Sequence, residues 1–381
     1  MSYQQYFGET HNILRQTIQT FMEREVHPYI DEWEDNEEFP RELYKKVAEA
    51  GLTGLGYPEE LGGTPAEDVF LKIVFMEEFV RSRSVGLVAS LGSHAIALPP
   101  IVKMGTEEQK KKFIPPVLAG DKIAALAITE PDAGSDVANI RTRAVRDGDE
   151  YVVNGAKTFI SSGCRADFLT TAVRTGGEGF GGISILVIET DTPGFQVARK
   201  IRKMGWHASD TGELAFEDCR VPAANLIGEE GKGFYGIMEN FQWERLVMAV
   251  EAHEVAQMAY EESLKYARER HAFGKPLTGF QVTRHKLVDM ATKINVAREF
   301  NYRTAARMQA GENVVTEVSM AKNFSCEVCD QVVFDAVQIH GGYGYAREYL
   351  VERLYRDSRI LSIGGGTTEI MKEIISKTLE I

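Results

Sequence analysis

The sequence predicts an α+β chain, mainly α: a helical N-terminal domain, a small β-barrel-like domain in the middle and an antiparallel four-helix bundle at the C-terminus. Two observations predict it. Apolar residues recur at helical spacing at both ends of the chain, and between them the texture turns to short β-branched runs broken by Gly and Asp-Gly turns. Over residues 1–120 the recurring positions are Ile13, Leu14, Ile18, Phe21 and Met22, then Leu43, Val47 and Leu52, with Pro and Gly as punctuation. Residues 121–230 carry YVVNG, FLTTAV and ISILVIET, each of strand length. Across residues 231–381 long amphipathic stretches return at 234–270, 281–310 and 315–339, followed by a last helix from about Thr367. No repeat or low-complexity linker divides these regions, so they are expected to pack as one unit.

At 381 residues, 44% hydrophobic and 26% charged, the chain has the composition of an ordinary globular enzyme with substantial cores. A net charge of −13 argues against a nucleic-acid surface, which needs clustered Lys and Arg. No apolar run is long enough to span a bilayer, and the N-terminus has no basic stretch followed by an apolar one, so a cytoplasmic location is expected. Four cysteines suggest no disulfide framework: Cys164 and Cys219 are isolated, and the Cys326/Cys329 pair lies inside a helical run without two further zinc ligands. No metal is expected there.

Two patterns are decoys. GKGFYG (Gly231 to Gly236) matches GxGxxG, but no hydrophobic strand precedes it and no βαβ unit surrounds it. His253-Glu254 begins an HExxH-like pattern, yet position 257 is Gln, so His253 reads as an ordinary helix residue.

The segments that carry chemistry lie elsewhere. LAITEPDAGSDV (Leu126 to Val137) places small and apolar residues before a Thr-Glu-Pro turn, then a Gly-Ser-Asp corner whose N–H and hydroxyl groups suit an anion. NGAKTFISSG (Asn154 to Gly163) adds Phe159 flanked by hydroxyls; by itself such a strand aromatic reads as core. RHAFGKPLTGFQ (Arg270 to Gln281), QIHGGYG (Gln338 to Gly344) and SIGGGTTEI (Ser362 to Ile370) follow in the helical half.

In this order the five motifs resemble the acyl-CoA dehydrogenase family, over nearly the whole chain. The resemblance implies FAD. Leu126, Ile128 and Thr129 would line the isoalloxazine ring, Gly134 and Ser135 approach the pyrophosphate, and Phe159 with Ser161 cover one face. Arg270, Phe273 and Gln281 resemble the set that reaches the FAD of a neighbouring subunit, with Gln338, Gly341 and Gly342 in the supporting turn; Arg270 taken alone reads as a solvated charge at a helix end. The implied assembly is a homotetramer, a dimer of dimers. Thr367 and Glu369 resemble residues near the flavin, and Thr367 also suits the cap of the last helix. Tyr235, Gln242, Arg245 and Gly366 resemble positions that border the acyl-CoA, and Ser135 would reach its pantetheine part; Arg245 equally reads as a member of a structural ion pair.

In the commonest members of that family a glutamate before the last helix removes the proton next to the thioester carbonyl. Here the matching position is Gly365, which accepts no proton. In a branch that includes long-chain and isovaleryl-CoA dehydrogenases the base lies on a helix of the C-terminal domain in a segment ending Glu-Arg-Leu, matched by Glu244, Arg245 and Leu246. The residues support Glu244 independently: Ile237, Phe241, Glu244 and Met248 share a helical stripe on which Glu244 is the acid, and apolar surroundings would raise its pKa toward the working range of a base. A solvated or Arg-paired Glu244 is the alternative from helix pattern alone. Gly365 keeps its backbone N–H, which by resemblance polarises the carbonyl. The implied reaction takes a fatty or branched-chain acyl-CoA to trans-2-enoyl-CoA, with electron transfer flavoprotein as acceptor. Gly365 alone would instead suit a flavoprotein of the same fold that reduces oxygen or no longer dehydrogenates.

Overall fold

The computed structural model describes residues 5–381, the side chains of residues 238–240 excepted. The N-terminal helices are α1 (Glu9–Phe21), α2 (Ile30–Asp35), α3 (Glu42–Glu49), α4 (Val69–Val80), α5 (Val85–Leu91), α6 (His94–Ala97), α7 (Pro99–Met104) and α8 (Glu107–Leu118). α1 runs on through a π-helical turn, Met22–Val26. Ile18, Phe21, Met22, Leu43, Val47 and Leu52 are buried together in one cluster, as their spacing predicts. Ile13 is not: it is 60% exposed, because the buried face of α1 is the stripe through His11, Ile18 and Phe21.

The middle of the chain is one twisted sheet of β1 (Ala124–Ala127), β2 (Arg143–Asp147), β3 (Glu150–Ser161), β4 (Phe168–Arg174), β5 (Ile183–Glu189), β6 (Phe195–Lys200), β7 (Thr211–Pro222) and β8 (Leu226–Ile227). The strand order is β6-β7-β3-β2-β4-β5-β8, and β1 adds in parallel to β4. The β2–β3 hairpin turns where Asp147 faces Glu150, at a Gly148 with φ of 62° that a side chain would strain.

The C-terminal bundle consists of α9 (Gly233–Glu269), α10 (Gln281–Gln309), α11 (Val315–His340), α12 (Leu350–Ser358) and α13 (Thr368–Thr378). Ala249, Ala252, Ala256 and Ala259 form a fully buried small-residue stripe on α9, which lets neighbouring helices approach closely around Leu287, Met290, Ile294, Val332 and Leu354. Among the described residues no single helix is long and apolar enough to cross a membrane.

Polar contacts in the interior tie the regions together. His253 is more than an ordinary helix residue: it is fully buried, its Nδ1 lies 2.9 Å from the Asn301 amide, and its Nε2 lies 3.4 Å from Glu77 of α4. Arg15 reaches Glu77 at 3.2 Å, and Arg81 reaches Glu254 at 2.6 Å, so the Glu77, His253 and Glu254 side chains are held among guanidinium groups. Elsewhere the buried Asp357 carboxylate accepts from Val85 N–H at 3.2 Å and Trp206 N–H at 2.6 Å, joining α12 to α5 and to the loop before β7.

Burial, with Asp357 as a nearby like charge, pushes the Glu251 carboxyl up to about 8. The folded chain therefore keeps a proton on Glu251 that the unfolded chain releases near its ordinary value, so this group's contribution to stability is full at acid pH and is lost as pH rises through about 8. Glu251→Gln is expected to flatten that fall and to raise the melting temperature more at pH 8 than at pH 5. Parallel melting curves for the two proteins across that range would sink the assignment.

Candidate flavin and acyl-CoA site

The wall formed by β1 and the turn after it is held from beneath by a buried ion pair. Lys157 Nζ donates to the Ile128 carbonyl at 2.9 Å and to Glu130 Oε1 at 2.8 Å. The Glu130 carboxylate also accepts from the N–H groups of Thr142 at 2.9 Å and Arg141 at 2.5 Å. Burial would raise the Glu130 pKa, but Lys157 and these donors hold it below the ordinary range. Burial pulls Lys157 down to about 8 against the opposing pull of Glu130. The result is a fixed backbone under Leu126, Ile128 and Thr129, each half-buried with part of its side chain left uncovered.

Thr158 N–H donates to the Thr129 carbonyl at 2.9 Å, fastening β3 beside this turn. There the β3–β7 register slips between Lys157 and Ile160, and Phe159 takes a φ of 57°. Such a bulge re-aims a side chain. Phe159 is accordingly 66% exposed, which corrects the core reading that its strand position alone invites. Ser161 is half-buried, while Gly134 and Ser135 are exposed on the corner beyond Glu130.

α9 begins against the sheet. A Cβ on Gly233 would lie 2.6 Å from the Ser184 backbone, and one on Gly236 would strike the Met104 side chain, so the glycines of the GxGxxG look-alike serve close packing. Further along, Ile237 and Phe241 pack in one cluster with Leu126 and Ile128. Glu244 follows on that stripe, half-buried. Its surroundings are not only apolar, since Arg245 beside it interacts with it electrostatically. Arg245 is 5% exposed, stacks over Phe241 at 5.6 Å, and leaves its Nε without a hydrogen-bond partner. Gln242 is half-buried and Tyr235 is exposed.

One turn after Glu244, Met248 meets the Gly364–Gly366 loop: a Cβ on Gly365 would lie 2.5 Å from its Sδ. Gly365 and Gly366 have φ of 61° and 99°, values that favour glycine. Lys322 of α11, 1% exposed, donates from Nζ to the Gly364 carbonyl at 2.7 Å and to the Gly366 carbonyl. Burial, aided by the like charge of Arg245, brings Lys322 down to about 8. Thr367 caps α13, its hydroxyl accepting from Ile370 N–H at 3.3 Å, and Glu369 is exposed in the first turn.

A second surface lies on the bundle. Arg270, Gly341 and Gly342 line a cavity of about 620 Å³ together with Tyr266, His340 and Tyr343. Phe273, Gln281 and Gln338 are exposed and do not line it; Phe273 is 96% exposed with a φ of 52°. Sequence reasoning passed over Glu130, Lys157 and Lys322, and gave Met248 a place on the α9 stripe without its contact with Gly365. The signal for the two lysines was present in each case, as a lone cation on the buried face of a regular element.

The residues present fit FAD: uncovered aliphatic side chains and an exposed aromatic suit the ring, and the open Gly-Ser corner suits the pyrophosphate. Models of the N-terminal, middle and C-terminal domains of acyl-CoA dehydrogenases match residues 8–121, 125–219 and 231–380. The chain is 40% identical to the long-chain specific acyl-CoA dehydrogenase, mitochondrial, of Sus scrofa, over 98% of this chain and 87% of that one. It is 38% identical to a Caffeyl-CoA reductase-Etf complex subunit of Acetobacterium woodii, over 98% and 99%. A probable acyl CoA dehydrogenase from Mycobacterium abscessus superimposes with a TM-score of 0.96 at 52% identity, over 98% of this chain and 100% of that one. With domain models matching along the chain from residue 8 to residue 380, and with a wall that suits the flavin, the chain belongs to the acyl-CoA dehydrogenase family, oxidoreductases that carry FAD and act on acyl-CoA.

Proposed function

We propose that this enzyme dehydrogenates a fatty or branched-chain acyl-CoA to the trans-2-enoyl-CoA, with Glu244 as the base. The observation that carries the reading is the stripe on α9: Ile237 and Phe241 pack with Leu126 and Ile128, Glu244 follows, and Met248 closes against Gly365. On this reading the Glu244 carboxylate serves between the wall suited to the ring and the loop that replaces the usual glutamate. FAD, when bound at the wall, supplies the acceptor for the hydride that leaves the β-carbon. Glu244 takes the α-proton, while the Gly365 N–H steadies the thioester oxygen as it gains negative charge. Arg245, Gln242 and Tyr235 border the acyl-CoA, the uncommitted Arg245 Nε being free to hold a polar atom of it.

The regions divide the work: residues 121–230 contact flavin and acyl-CoA, residues 231–381 supply the base and the contacts with other subunits, and residues 1–120 form the N-terminal helical domain. A homotetramer is supported by Val288, Val296, Phe324 and Phe334, apolar yet 39–61% exposed on α10 and α11. In this reading a dinucleotide bound at the wall and at the Arg270 cavity draws on two copies of the chain, in keeping with a cavity lined by bundle residues. Electron transfer flavoprotein is the proposed acceptor, in keeping with a relative that is part of an Etf complex.

Anaerobic titration of the holoenzyme with straight and branched acyl-CoAs is expected to bleach the flavin stoichiometrically with the preferred chain class. Bleaching by none of them would reject the dehydrogenase reading, and rapid reoxidation by air would favour an oxidase.

A further inference from the structure

The loop that carries Gly365 is gripped by a cation whose placement has a geometric consequence. Lys322 rises from α11 among Val318, Ala321, Ser325 and Cys326, all buried, so its ammonium has no route to bulk water along its own helix. Nζ instead donates to the Gly364 carbonyl at 2.7 Å and to the Gly366 carbonyl, the two that bracket residue 365. The Gly364 carbonyl and the Gly365 N–H belong to one trans peptide plane, in which C=O and N–H point in opposite directions. Fixing that oxygen on Lys322 therefore fixes the N–H to face away from α11. Among the described residues the Gly365 N–H makes no hydrogen bond, and Gly365 itself is exposed. A cation on the carbonyl oxygen also polarises the amide and strengthens its N–H as a donor.

We infer that Lys322 is a positioning residue for the thioester carbonyl: it aims the Gly365 N–H at the substrate oxygen and sharpens that donor through the shared peptide. The inference rests on the reading of Gly365 as the carbonyl-polarising group. Met248 completes the mount from the other side, since it occupies the space where a side chain at 365 would begin. A flexible glycine loop with both φ values positive would otherwise let this peptide rotate. Lys322 thus supplies the stiffness that the Gly364–Gly366 sequence lacks.

The test reads the carbonyl directly. Glu244→Gln holoenzyme holds an acyl-CoA unreacted, and the carbonyl stretch of a ¹³C=O-labelled thioester is followed by difference vibrational spectroscopy with Lys322 intact and with Lys322→Met. A downshift relative to free thioester is expected with Lys322, and Lys322→Met is expected to lose more than half of it. In the presence of Glu244, Lys322→Met should slow flavin bleaching on the order of tenfold to a hundredfold, with acyl-CoA affinity changed by less than about threefold. A full downshift in Lys322→Met overturns the role given to Lys322. No downshift even with Lys322 present overturns instead the role given to Gly365. Should Lys322→Met fail to fold or hold FAD, Lys322→Gln takes its place, and a downshift there equal to that of the Lys322 enzyme is equally fatal.

Discussion

Glu244→Gln is expected to leave FAD bound and to slow acyl-CoA-driven bleaching of the flavin by about a hundredfold or more. Gln has nearly the shape of Glu, so the half-buried position on α9 persists while the proton acceptor is removed. The α-proton of a thioester is weakly acidic, and the N–H proposed to act at Gly365 would stabilise charge without removing a proton, so a large loss is required if Glu244 is the base. Visible absorbance and the melting temperature should match those of the unsubstituted enzyme, which separates chemistry from folding. A loss of less than tenfold would rule Glu244 out. Arg245 makes a second readout available. Because its guanidinium interacts with Glu244 and is buried without a partner at Nε, Glu244→Gln leaves that cation less compensated, and acyl-CoA affinity is expected to change as well as rate.

Most of the architecture was legible because periodicity reports burial. The stripe of Ile18, Phe21 and Met22 and the β-branched runs of β4 and β5 are buried as their patterns require. Phe159 and His253 were misread from pattern alone for one reason: each owes its surroundings to distant segments. A register slip against β7 turns Phe159 outward, and Glu77 of α4, far away in sequence, makes His253 part of a buried network. The same limit hid Lys322. Its helix shows a lysine on the buried face, but only the folded chain brings the Gly364–Gly366 carbonyls to it. Motifs mark residues that touch ligands, whereas the supports beneath them are defined by long-range contacts that spacing does not encode.

Lys157→Met is expected to destabilise the enzyme by about 3–5 kcal/mol, the usual consequence of removing one partner from a buried ion pair. Lys157 is 1% exposed and Glu130 6%, so neither has water to fall back on. Without the ammonium, Glu130 would keep the Thr142 and Arg141 N–H groups, but its charge would be uncompensated and the Ile128 carbonyl would lose its donor. The loosened turn is the one under Ile128 and Thr129, so the variant should also release FAD more readily, measured by flavin fluorescence at fixed protein concentration. Glu130→Gln combined with Lys157→Met is expected to recover part of the stability, because a neutral amide no longer needs the cation. The acid limb adds a sign. Glu130 titrates below its ordinary value in the folded chain, so its contribution is present above about 4.5 and is lost as pH falls through the lower folded value. Glu130→Gln should therefore shallow the fall in melting temperature on acidification. If Lys157→Met melts within a degree or two of the unsubstituted enzyme at equal FAD, the pair beneath the wall is not what holds it.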